Sequence, residues 1–173
     1  MDSITNISNV PNKPAVYAMY GGHGKREYVV YVGVADHLKH RVNQHLVRHN
    51  SSITTGESAV KLQTDHVVKI SWWEHRYFTD RVKLEAAELI AFELFNPIIN
   101  SRTVPRKESV ELLTDDKFTK SIQELLRSPP NGVIALKSLN ERVQSLEKRI
   151  IELEQKMRYI TSNSWENCAL LNE

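Results

Sequence analysis

The sequence predicts an α/β (α+β) fold: a small, mainly antiparallel three-stranded sheet flanked by helices, then a C-terminal helical region with a parallel coiled coil. Three observations carry this expectation. Two short runs of β-branched and aromatic residues, Ala15 to Met19 and Tyr28 to Val34, bracket a glycine-rich segment, the pattern of a β-hairpin. Apolar residues recur at helical spacing from Asp36 to His49 and again from Asp80 to Phe95. Beyond residue 132 the spacing becomes a regular alternation of three and four, which is the heptad pattern.

Taken in order, Gly21-Gly22-His23-Gly24 reads as the hairpin loop. In the next helix Leu38, Val42, Leu46 and the histidines His45 and His49 share a stripe, with Asp36 as the expected N-cap. Ser51 to Gln63 is polar and aperiodic, a loop. Val67 to Phe78 is rich in β-formers and reads as a third strand, with Trp72 and Trp73 on opposite faces, one ring in the core and the other outward. The helix from Asp80 buries Val82, Leu84, Ala87, Ile90, Ala91 and Leu94, and Asn96-Pro97 ends it because proline cannot continue the hydrogen-bond ladder. After a polar edge at 101–107 a shorter helix is expected between Ser109 and Leu126. Ser128-Pro129-Pro130-Asn131-Gly132 then breaks the chain.

Leu136, Leu139, Val143, Leu146, Ile150, Leu153, Met157 and Ile160 follow the break without a slip. Val143 and Ile150 at position a, with Leu139, Leu146 and Leu153 at d, favour two parallel strands. Charges agree: Arg142 and Arg149 at g would face Glu147 and Glu154 at the partner's e positions, whereas an antiparallel pair would oppose arginines. Each exposed pair is worth only roughly 0.2–1 kcal/mol, so the pairs select geometry more than they add stability. A homo-oligomer, a dimer first, is the expectation through Leu136 to Ile160.

Bulk properties bound the function loosely. The chain has 173 residues, 40% of them hydrophobic, with a formal net charge of +2. That is enough for one core plus an appendage, and too little charge to mark a nucleic-acid binder by itself. A single cysteine, Cys168, excludes an intramolecular disulfide and a cysteine zinc finger. The polar N-terminus has no apolar signal core, and no apolar run approaches a membrane span. The expectation is a soluble, intracellular, cytoplasmic protein.

The chemistry-bearing residues cluster in the first hundred positions. Tyr17 and Tyr31 stand on neighbouring strands. Arg41 and His45, four apart, share a helix face. Glu88 lies on the later helix, and Asn100 follows its end. A carboxylate for a divalent cation, a guanidinium for a phosphate and phenol or imidazole groups for proton transfer suit phosphodiester hydrolysis. His45 and His49 have helical metal-pair spacing, but no further ligand completes a zinc set. Lys25-Arg26, Lys39 and Arg48 could extend a phosphate-facing surface.

Order and spacing add more than the inventory. The segment from Tyr31-Val32-Gly33 to Arg41 and His45 resembles the second half of the GIY-YIG nuclease signature, with eight residues from Gly33 to Arg41 and four more to His45. Lys13-Pro14-Ala15-Val16-Tyr17 resembles the Gly-Ile-Tyr strand, with alanine and valine in place of glycine and isoleucine. Glu88, Pro97 and Asn100 resemble the family's glutamate-proline-asparagine element. Glu85, one turn earlier, is the reserve choice because the Leu89-Ile90 pair follows Glu88 at once rather than three residues later.

The resemblance covers about residues 13–100. The helical pattern, the proline break and the heptads set a helical connector at 106–131, a coiled-coil helix at 132–161 and a tail at 162–173, and the resemblance implies a nuclease domain over 1–105. It also implies an endodeoxyribonuclease: Glu88 holding Mg²⁺ or Mn²⁺, Arg41 on the scissile phosphate, Tyr17 with His45 or Tyr31 activating water, and Asn100 at the edge. The layout is similar to the small restriction-type members, with DNA as substrate and a dimer bringing two sites together. The alternative is a nuclease or DNA-binding subunit of a larger defence or repair assembly, active only when recruited by a protein partner docked on the coil or on the tail around Trp165.

Overall fold

The computed structural model describes residues 9–22, 24–51, 53, 62–99, 104–136, 144 and 146–159. The chain divides into two units, Met1–Leu136 and Lys137–Glu173. In the first unit the elements run β1 (Ala15–Gly21), β2 (Tyr28–Ala35), α1 (Leu38–Leu46), β3 (Lys69–Trp73), α2 (Arg81–Phe95), α3 (Lys107–Glu111), α4 (Asp116–Arg127) and β4 (Gly132–Ala135). The sheet is antiparallel throughout, in the order β2-β1-β3-β4.

The sheet therefore has four strands, not the three expected. The extra strand falls where the sequence places the start of the coiled-coil segment. Ser128 to Asn131 turns the chain back onto β3, where the Asn131 N–H donates to the Trp72 carbonyl and the Leu136 N–H to that of Val68. Gly132 sits flat on Trp72: a Cβ there would lie 2.0 Å from the ring. Val133 and Ile134 are β-branched and suit the pleat. Leu136, expected as the first heptad position, packs instead against the sheet core.

Both faces of the sheet are covered. On one, Tyr17, Met19, Tyr31, Ile70 and Trp72 pack with Leu38 and Val42 of α1. On the other, Val16, Ala18, Val32 and Trp73 pack with Leu84, Ala87, Ile90 and Ala91 of α2 and with Phe118, Ile122 and Leu126 of α4. Trp72 and Trp73 do alternate across β3, but both are buried, because each face has its own helical layer. Along the outer edge of β2, the N–H groups of Ile98 and Ile99 donate to the carbonyls of Val29 and Val30. The segment after α2 thus closes half of that edge.

Several boundaries differ from expectation for local reasons. The third strand stops at Trp73, and Arg76–Thr79 forms a 3₁₀ turn that the His75 side chain caps. Helix α1 ends at Leu46, and His49 takes a left-handed φ of 50°, so His45 and His49 do not form a helical pair. Asp36 does not cap α1: His37 holds the cap position without a side-chain bond, and Asp36 pairs with Arg81 at 2.8 Å. Asp80 caps α2 by accepting from the N–H groups of Val82 and Lys83. The helix expected over 109–126 is split by a 3₁₀ turn, Leu112–Thr114, after which Asp115 caps α4.

In the second unit residues 146–159 are helical, with Leu146, Ile150, Leu153 and Met157 exposed. Heptad positions 139, 143 and 160, most of the loop 51–63, Asn100 and the tail lie outside the described residues. Among the described residues no helix is long and apolar enough to cross a membrane.

Candidate active site

Antiparallel pairing of β1 with β2 sets Tyr17 opposite Gly33 and Met19 opposite Tyr31. Both phenols fall on the α1 face, with ring centroids 6.0 Å apart. Gly33 explains how they converge. A Cβ at that position would lie 2.8 Å from Tyr31 Cε1 and 2.9 Å from each of the two phenol oxygens. Only a residue without a side chain leaves that space to the hydroxyls.

Helix α1 brings Arg41 and His45 over these rings from successive turns. His45 is fully buried, with Nε2 2.8 Å from the Tyr17 hydroxyl and Nδ1 2.7 Å from Ser51 Oγ. Burial and then the charge of Arg41 lower its pKa to about 3, so the ring is neutral at ordinary pH. Arg41 is half-buried, its positive charge acts on both phenols, and it donates to Gln44 Oε1 at 3.3 Å. Burial raises the Tyr17 phenol well above its ordinary range, each tyrosinate opposing the other, while Arg41 pulls it down. Tyr31 is raised as well, by burial first and by the charge of Glu88. Both phenols are protonated at rest.

Glu88 arrives from the opposite layer. It sits on α2, and the backbone N–H of Val34 and the charges of Arg81 and Arg41 favour its ionised form. Burial lifts its pKa to about 7 and the neighbouring Glu85 adds to this, against the pull of Arg81, the Val34 N–H and Arg41. Glu85 behaves differently. Burial pushes it up too, but hydrogen bonds from Arg81 and Ser109 and the charge of Arg106 outweigh that and hold it below the ordinary range. Its oxygens lie 3.0 Å from Arg81 Nε and 3.1 Å from Ser109 Oγ. A carboxylate already held by two arginines and a serine is a poor cation ligand, which favours Glu88 over the reserve choice.

Tyr31, Arg41, Gln44, Arg81 and Glu88 line one cleft of about 390 Å³. Tyr17 and His45 are not on its wall; they lie directly behind Tyr31 and Arg41. The structure thus brings together Tyr17, Tyr31, Arg41, His45 and Glu88, five of the six residues singled out in the sequence. The sixth, Asn100, is among the residues left undescribed. Arg81 and Ser51 were missed. Arg81 carries a faint signal, an i, i+4 pair with Glu85 at the start of α2. Ser51 carries none, since a serine in a polar loop is unremarkable.

The donor set fits one hard cation shared with phosphate. Asp36 and Glu88 are the carboxylates on the cleft wall, and Asp36 is engaged by Arg81. Among the described residues no group of three or more His, Cys, Asp or Glu side chains could enclose a metal. Zinc in a closed protein site is therefore a poor fit. Magnesium, which keeps water ligands and shares one or two carboxylates with substrate phosphates, suits it better. Compared with known proteins, the chain matches no protein-family model, no curated protein and no solved structure.

Proposed function

We propose that the chain is a divalent-cation-dependent DNA endonuclease of the GIY-YIG kind. One observation carries this reading: Tyr31, Arg41 and Glu88, from a strand and from helices of two different layers, converge on one cleft, with Tyr17 and His45 hydrogen-bonded behind them. A retained fold alone has no need of a guanidinium, a carboxyl and a phenol on the same wall.

The roles follow from exposure and charge. Arg41 offers donors to a non-bridging phosphate oxygen while staying anchored on the phenols. Tyr31 is the phenol with access to the cleft, so it orients the attacking water and accepts its hydrogen bond. Tyr17 has no exposed surface and acts through Tyr31, with His45 behind it. Glu88 must ionise to hold Mg²⁺ or Mn²⁺, which when bound supplies charge neutralisation at the phosphoryl and leaving oxygens.

The second part of the proposal is a homodimer formed through the C-terminal heptads, pairing two sites as in restriction-type cleavage. The exposed stripe of Leu146, Ile150, Leu153 and Met157 supports it, since four large apolar side chains at heptad spacing gain by mutual burial. The rival reading, a subunit of a larger defence or repair assembly that cuts only when recruited, has one observation in its favour. With Glu88 raised to about 7, its carboxyl is only partly ionised near neutral pH, and Tyr17 is sealed from the cleft.

Cleavage of supercoiled plasmid by purified wild-type and Glu88→Gln protein, with Mg²⁺, Mn²⁺ or chelator, tests the proposal. Metal-dependent products lost in the variant are expected: nicked circles from independent sites, linear DNA from paired ones. No cleavage under any of these conditions would refute autonomous nuclease activity and leave the recruited role.

A further inference from the structure

Three groups form a continuous hydrogen-bonded chain behind the cleft: Tyr17 to His45 Nε2 at 2.8 Å, and His45 Nδ1 to Ser51 Oγ at 2.7 Å. Tyr31, on the cleft wall, stands beside Tyr17 with ring centroids 6.0 Å apart. Such a chain has two possible directions. Arg41 biases the choice at one end, because its guanidinium carries a fixed positive charge that acts on both phenols and can only donate. A neutral imidazole holds a single N–H. Whichever nitrogen carries it fixes every hydroxyl in the row.

If Nε2 is protonated, it donates to the Tyr17 oxygen, and the Tyr17 proton turns outward, toward Tyr31 and the cleft. If Nδ1 is protonated, it donates to Ser51, the bare Nε2 accepts from Tyr17, and the Tyr17 oxygen presents its lone pairs on the Tyr31 side. A site whose tyrosines accept toward attacking water needs the second arrangement.

The positive charge of Arg41 selects the same one. Nε2 is one shared hydroxyl away from the guanidinium, whereas Nδ1 lies across the ring on the Ser51 side. Coulomb repulsion in a buried setting favours the proton on the farther nitrogen and turns the hydroxyl protons away from the cation. That arrangement requires an acceptor at Nδ1, because a buried N–H without a partner costs about 1–3 kcal/mol. Ser51, itself buried, supplies the acceptor.

We propose that Ser51 is a positioning residue: its Oγ accepts the Nδ1–H of His45, and so leaves Nε2 to accept the Tyr17 hydroxyl and the Tyr17 oxygen as an acceptor on the side of Tyr31 and the cleft. The tautomer is a property of the resting protein; its use in hydrolysis rests on the nuclease reading given above.

Nitrogen-15 NMR of the His45 ring, on the full-length protein without substrate, tests the tautomer directly. The wild type should show Nδ1 protonated and Nε2 bare. Ser51→Ala should move the proton to Nε2, and Ser51→Thr, which keeps the hydroxyl, should restore the wild-type pattern. In plasmid cleavage Ser51→Ala should lower kcat by roughly 10- to 100-fold with KM unchanged, the range seen when the partner orienting a functional imidazole is lost, and Ser51→Thr should recover it. A wild-type ring protonated on Nε2, or a tautomer unmoved by Ser51→Ala, overturns the proposal. If the tautomer shifts as expected but no DNA is cut, the polarity of the chain stands and the nuclease reading fails. If the wild type cuts DNA and Ser51→Ala cuts equally well, the nuclease reading stands and the role of Ser51 fails.

Discussion

Replacing Glu88 by glutamine should stabilise the protein at alkaline pH and do progressively less as the pH falls. In the fold, burial raises this carboxyl from an ordinary 4.5 to about 7. An unfolded chain therefore releases the proton at lower pH than the folded one does. Between the two values the unfolded state is favoured increasingly as pH rises, so stability is fully present below 4.5 and is lost as pH climbs through about 7. At 1.36 kcal/mol per pH unit, the interval from 4.5 to about 7 corresponds to about 3 kcal/mol. Glutamine keeps the shape and the acceptor for the Val34 N–H but has no proton to lose. Urea denaturation of both proteins at pH 5 and pH 8.5 should find the variant favoured by about 2–3 kcal/mol more at the higher pH. His45 works in the opposite direction, since its pKa is lowered to about 3 and its contribution is lost as pH falls below 6.5. It is common to both proteins and cancels in the difference. A difference that stays constant across this range would refute the buried, protonated carboxyl. Mg²⁺ gives a second arm: at pH 8.5 it should stabilise the wild type and not the variant, by about 2.7 kcal/mol at a hundredfold excess over Kd.

Gly33→Ala should cost about 1–3 kcal/mol in urea denaturation, because its Cβ would lie within 3 Å of both phenol oxygens and force both rings to shift; DNA cleavage should be abolished with it. Arg41→Lys should reduce kcat about 100-fold in plasmid cleavage, since one ammonium cannot anchor on two phenols and still present a planar pair of donors to phosphate. Leu146→Asp combined with Leu153→Asp should give a monomer in light scattering and shift plasmid products from linear to nicked, whereas an unchanged mass would remove the coiled coil from the proposal.

Some features were legible because they are local. The β-rich runs of β1 and β2, the glycine between the two phenols and the Pro97 stop each depend on a few neighbouring residues, and residue type alone constrains them. The intervals from Tyr31 to Gly33 to Arg41 to His45 carry the site in the same way, because a strand, a turn and one helix of set length convert spacing into direction. What stayed hidden depends on contacts between distant segments. The 132–135 strand reads as the start of a heptad run, since two β-branched residues followed by Leu136 suit either state; hydrogen bonds to Trp72 and Val68, some sixty residues away, decide for the sheet. Asp36 looks like a cap and is instead drawn to Arg81.

The sequence by itself determined which residues can do chemistry and the order in which they occur. Tertiary structure alone decided their standing. Burial lifted the Glu88 carboxyl on the cleft to about 7, while Arg81, Arg106 and Ser109 claimed Glu85. It set Tyr31 at the wall and Tyr17 behind it, although both are strand tyrosines. It also brought Ser51 to His45 Nδ1. The physical reason is that desolvation, ion pairing and hydrogen bonding depend on what surrounds a group in space, and chain spacing specifies that only within a single element.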